Sequence, residues 1–141
     1  MNTNKAAQQY ANVKKSTAVE DANPHQLIQM LYQGALDSLQ QSIGCIERRE
    51  FEQKGKLIGR AISILGGLQS VLDHDKGGEI SRNLDRLYDY MAVRLYEATR
   101  ENSIEKVREV ISLLKEVKSG WDGIADEASR IFSESGQPVA G

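Results

Sequence analysis

The chain has 141 residues, of which 40% are hydrophobic and 27% charged, and a net charge of −2. That length suits one domain with a real core. The balance of 18 basic and 20 acidic residues lacks the basic face that phosphate binding needs, which argues against nucleic acid as the main partner. Cys45 stands alone, so neither a disulfide framework nor a cysteine-based zinc site is available, and a reducing, cytoplasmic setting is the simplest reading.

Residues 1–22 are rich in Asn, Gln, Lys and Thr and read as a flexible arm, with Tyr10 and Val13 as the groups able to dock on the body. The arm lacks an apolar signal-peptide core, and no stretch of the chain approaches a membrane span. Asn23-Pro24-His25-Gln26 is a strong helix start: a capping Asn, Pro at the first helical position, and Gln three residues after the cap. The apolar series Leu27, Ile28, Leu31, Tyr32, Ala35, Leu36, Leu39, Ile43 and Ile46 predicts a helix ending near Glu47 to Glu50. A second helix is predicted from Phe51 to Leu72, its apolar groups spread over about 180°, wider than the roughly 100° of an ordinary core stripe. Gly55, Gly59, Gly66 and Gly67 within it suggest a close helix approach or a bend.

Asp73 to Gly78 reads as a turn, with a glycine closing the second helix. The third helix runs to Asn102, with a core stripe of Ile80, Leu84, Leu87, Tyr88, Met91, Leu95 and Ala98. Tyr90, Val93 and Tyr96 fall outside that stripe. Ser103 caps a fourth helix whose stripe runs from Ile104 through Trp121 to Phe132, with Val110, Leu113, Val117 and Ile124 on its shoulder. Short connections make neighbours antiparallel, so the expected fold is all-α: an elongated up-down-up-down four-helix bundle over residues 23–132, preceded by the arm and followed by a loose tail, 133–141.

No constellation carries catalysis. His25 and His74 lie near helix ends, Asp73-His74-Asp75 reads as a polar turn, and neither a Glu-x-x-His pair nor a phosphate-binding loop occurs. The expectation is a non-enzyme with no cofactor and no metal. What needs a use is the surplus apolar surface on helices two to four. It is either a groove for amphipathic segments of another protein or the filling of a wide bundle or homodimer face.

Several stretches resemble one family. Pro-His-Gln-Leu-Ile-Gln-Met-Leu-Tyr-Gln-Gly-Ala (Pro24 to Ala35), Gly-Gly-Glu-Ile-Ser-Arg-Asn-Leu-Asp-Arg-Leu-Tyr-Asp-Tyr-Met (Gly77 to Met91), Arg-Leu-Tyr-Glu-Ala (Arg94 to Ala98) and the late Trp121 are similar to the FliS flagellar export chaperones. Tyr10 and Ser16-Thr17-Ala18 look like the family's arm, and the resemblance spans residues 8–122. Gln33, where the family often has Asp, and Asn-Pro in place of a common Ser-Pro are mild departures. The resemblance implies a cytoplasmic helical bundle that binds the C-terminal segment of flagellin in apolar grooves, prevents premature polymerisation and delivers it to the flagellar type III export gate. It implies that the arm, through Tyr10 and Val13, lies over part of the groove when no client is bound. It also leaves open a co-chaperone or a flagellar regulatory protein as a further partner. Helical-wheel geometry then nominates Ile64, Leu68 and Val71, Tyr90, Val93 and Tyr96, and Val110, Leu113 and Val117 as flagellin-binding. The alternative functions are a self-associating bundle or an adaptor for a regulator.

Overall fold

The computed structural model describes residues 23–123, which form four helices: α1 (Pro24–Glu47), α2 (Phe51–Ser70), α3 (His74–Glu101) and α4 (Ile104–Asp122). The arm with Tyr10 and Val13, the predicted extension of the last helix through Ile124 to Phe132, and the tail lie outside the described residues. α1 packs on α2 and α4, and α3 packs on the same two from the other side, so the architecture is a four-helix bundle. Lengths of 19 to 28 residues give rods of roughly 30 to 40 Å at 1.5 Å per residue.

The start of α1 follows directly from its sequence. Asn23 Oδ1 accepts from the Gln26 N–H at 2.8 Å, and Gln26 Oε1 accepts from the Asn23 N–H at 3.0 Å. This reciprocal box satisfies two amides that the first helical turn leaves without partners. At its far end the chain turns through Arg49 at φ 60°, and α2 begins at Phe51. α1 and α2 are the most closely paired helices. Small buried groups permit this: Ala35, Ser38 and Ala61 are fully buried, and Ser38 Oγ donates to the Leu57 carbonyl at 3.1 Å. Gly55 and Gly59 of α2 are not the cause, because a Cβ on either would meet nothing within 4 Å.

Gly78 does not close α2. That helix ends at Ser70, and Asp73 caps the next one, its Oδ1 accepting from the amides of Asp75 at 3.1 Å and Lys76 at 2.9 Å. Gly78 then breaks the helical path at φ 52°, ψ −124°, a conformation in which a side chain would be strained. After the break, Ser81 is drawn inward by its bond to the Asp73 carbonyl at 2.9 Å, and Ile80 is 50% exposed instead of leading the core stripe. From Leu84 onward the predicted stripe holds, with Leu84 and Leu87 partly buried and Tyr88, Met91, Leu95 and Ala98 fully so.

Contacts between helix ends lock the antiparallel order. His25 stacks on Trp121 with ring centroids 4.8 Å apart, Trp121 Nε1 donates to the His25 carbonyl at 3.0 Å, and His25 Nε2 lies 2.7 Å from the Trp121 carbonyl. The N-terminus of α1 is thereby clasped to the C-terminus of α4. At the other end, Lys54 from the first turn of α2 is buried and places Nζ 2.6 Å from the Thr99 carbonyl near the end of α3. A cation at that position satisfies a terminal carbonyl and opposes the helix dipole. Across the middle, the fully buried Tyr32 of α1 and Tyr88 of α3 join their hydroxyls in a hydrogen bond.

Candidate functional site: the outward face of α3

Burial divides the nine nominated residues. Ile64, Leu68 and Val110 are in the core, at 6%, 0% and 0% exposure, and form no part of an outward face. The reason is position: α2 lies between α1 and α3, so its wide apolar arc is consumed by packing on two sides, and α4 lies likewise between α3 and α1. Val71, Leu113 and Val117 are half-buried against the core. Tyr90, Val93 and Tyr96 remain open at 44%, 54% and 52%.

Those three side chains wrap the back of α3. At about 100° per residue, successive positions three apart step round the helix by about 60°, so Val93 points away from the bundle with a tyrosine on either side. The neighbours fix which side is which. Gln69 of α2 donates to Asp85 Oδ1 at 3.1 Å and Asp89 Oδ1 at 2.8 Å, marking the α2 side, toward which Tyr96 lies. Tyr90 lies on the α4 side, where its hydroxyl donates to the Glu109 carboxylate.

That α4 side carries a continuous polar network. The Arg94 guanidinium binds Glu109 Oε1 through Nε at 2.8 Å and Nη2 at 2.7 Å, and reaches Glu97 through Nη1 at 3.1 Å. Lys106 Nζ joins Glu97 at 3.2 Å to Glu101 at 2.8 Å. Arg94 also sits 5.9 Å from the centre of the Tyr90 ring, within cation–π range. The bond from Tyr90, then Arg94, holds the Glu109 carboxyl below its ordinary range, and the bond from Lys106 does the same for Glu97. Bonding to Glu109 pushes the Tyr90 phenol up. Exposed ion pairs add little stability singly. What this set does is hold Tyr90 in one orientation and neutralise the charges along the α3/α4 seam. Arg94 and Glu97 stand at helical i, i+3 spacing, but no sequence signal points to Lys106 or Glu109, which come from another helix.

Elsewhere among the described residues the exposed large apolar groups, Met30, Phe51 and Ile80, lie apart from this face. An open depression of about 340 Å³ between α1 and α4 is lined by residues including Gln33, Asp37, Lys118 and Asp122. Another of about 420 Å³ beside the α1–α2 turn involves Gly44, Cys45 and Arg48. Among the described residues, no three His, Cys, Asp or Glu converge as a metal site, and no helix is long and apolar enough to cross a membrane. The face of α3 is therefore the one that combines exposed aromatic and aliphatic groups with an ordered polar border.

Comparison with known proteins places the chain in a family. A sequence model described as Flagellar protein FliS matches residues 6–128. The chain belongs to the FliS family. It is 54% identical over 121 residues to the flagellar secretion chaperone FliSB of Pseudomonas aeruginosa, covering 86% of this chain and 96% of that protein. It is 42% identical over 127 residues to the flagellar secretion chaperone FliS of Salmonella typhimurium, covering 89% of this chain and 93% of that one. The FliS of Vibrio cholerae, also a flagellar secretion chaperone, is 35% identical over 120 residues. The FliS name attaches to chaperones, not to a class of enzyme.

Proposed function

We propose that this FliS-family chain is a cytoplasmic chaperone of flagellar export that binds the C-terminal segment of flagellin. It keeps the segment from polymerising before export and hands it to the flagellar type III export gate. The observation that carries this reading is the open Tyr90–Val93–Tyr96 face of α3. Apolar area kept exposed on a bundle whose core is already filled calls for a partner. Tyrosines suit such a place, since the ring supplies apolar area and the hydroxyl stays wet. A client that folds as it binds needs broad contact to offset the cost of ordering. Tyr10 and Val13 of the arm compete for this surface when the client is absent.

Titrating the chaperone with flagellin and with flagellin lacking its C-terminal segment tests the reading. Only the intact protein is expected to bind; equal binding to both, or to neither, contradicts it. Tyr96→Glu is expected to weaken the complex at near-native helicity, because the side chain is half exposed.

A further inference from the structure

The outward ridge of α3 carries a charge pattern that the apolar reading leaves unused. Arg86, Val93 and Arg100 lie seven residues apart, on one line of the helix. That line drifts by only about 20° per seven residues. At 1.5 Å per residue each arginine is roughly 10 Å along the axis from Val93. All three side chains are exposed. Among the described residues, Arg86 forms no ion pair and donates to Asn83 Oδ1 at 3.2 Å. Arg100 is 70% exposed and has one loose approach, 3.7 Å, to Glu101, a carboxylate that Lys106 already holds at 2.8 Å. From Asp85 onward the helix's other carboxylates are engaged to the sides: Asp85 and Asp89 with Gln69 of α2, Glu97 with Arg94 and Lys106.

This pattern selects among occupants. The ridge is symmetric about Val93, so a second copy of α3 laid along it sets arginine against arginine. Parallel pairing puts Arg86 on Arg86, and antiparallel pairing puts Arg86 on Arg100. Like charges in that arrangement disfavour self-association. A helix with a carboxylate, an apolar side chain and a carboxylate at seven-residue spacing matches it instead. Resting on the flagellin-binding reading above, we infer that the ridge is a specificity device. The client segment on α3 presents an acidic group to Arg86, an apolar group to Val93 and an acidic group to Arg100, and the same arginines keep α3 from pairing with itself.

The test measures flagellin binding by calorimetry at low and moderate salt, using the wild-type chain, Arg86→Glu/Arg100→Glu and Val93→Asp, each checked for native helicity. The double charge reversal is expected to weaken binding about tenfold or more at low salt, with the gap narrowing as salt screens the charges. Flagellin whose C-terminal segment carries Asn and Gln in place of Asp and Glu is expected to bind the wild type and the double variant alike. Unchanged affinity for the double variant, with binding lost in Val93→Asp, overturns the charge inference and leaves the binding face standing. Unchanged affinity in all variants overturns both. Sedimentation of the chaperone alone gives an independent check. A wild-type dimer that Val93→Asp dissociates overturns the inference, and a wild-type monomer alongside a concentration-dependent dimer of Arg86→Leu/Arg100→Leu supports it.

Discussion

Tyr88 and Tyr90 stand two residues apart on α3, and each ends its side chain on a hydrogen bond. The inner one is fully buried and bonds to the Tyr32 hydroxyl of α1; the outer one is 44% exposed and bonds to the Glu109 carboxylate of α4. The inner bond satisfies hydroxyls that have no access to water, so its loss is felt in stability. The outer bond replaces water that is present anyway, so its effect is on orientation. The same side chain is thus part of the bundle's frame on one face of the helix and part of its proposed binding surface on the other. The difference between the faces lies in the neighbours, since both residues have the same chemistry.

Chemical denaturation measures that contrast directly, a single domain of this size being suited to a two-state treatment. Tyr88→Ala is expected to cost about 3 to 5 kcal/mol through the cavity it leaves. Tyr96→Ala, on the outer face, is expected to stay within about 0.5 kcal/mol. Comparable costs at both positions would show that the two faces are not distinct. A finer version removes hydroxyls alone. Tyr32→Phe or Tyr88→Phe is expected to cost about 1 to 3 kcal/mol, because each leaves the other buried hydroxyl without its partner, while the double variant costs less than the sum of the two.

Alkaline pH probes the same pair. Burial pushes both phenols above their ordinary value of 10.0. The folded state therefore keeps protons that the unfolded chain releases. The stability is fully present below pH 10.0 and falls as pH rises beyond it, by about 1.4 kcal/mol per pH unit for each phenol. The double Phe variant is expected to flatten this dependence, and an unchanged alkaline slope would mean that the two phenols are not its source.

How much of this was legible in the sequence depends on range. The Asn23–Gln26 box, the Ser103 cap and the bounds of α1 are governed by groups three or four residues apart, and the structure agrees with them. The two faces of α3 from Leu84 onward were legible as well, since one periodic pattern separates Tyr88, Met91 and Leu95 from Tyr90, Val93 and Tyr96. Ile64, Leu68 and Val110 lie in the core, which a helical wheel does not reveal, because it gives a direction around an axis and not what stands there; α2 and α4 each have two neighbours, and those directions meet packed side chains. Ile80 failed for a local reason, the reversal at Gly78, which a period count carries straight through. The polar border of the outward face was not legible at all, because Glu109 and Lys106 reach α3 only through the fold.

The smallest expected effect belongs to that border. Glu97 and Glu109 have carboxyls held below 4.5 by Lys106 and by Tyr90 with Arg94. A depressed carboxyl contributes its stabilisation above the unfolded value and loses it as pH falls through the folded one. The α3/α4 seam should therefore be intact at neutral pH and loosen only in acid, below 4.5. Because both groups are at the surface, global stability is expected to change little, and the effect should appear locally. Carbonyl NMR titration should give Glu97 and Glu109 midpoints below those of the solvent-facing glutamates, and Arg94→Gln should return Glu109 toward the ordinary value. Midpoints that coincide with the other glutamates would mean that Tyr90 is not held on α4 in solution. The outward face would then be a set of independent side chains, and the contrast with the fixed Tyr32–Tyr88 pair would be greater than the structure draws it.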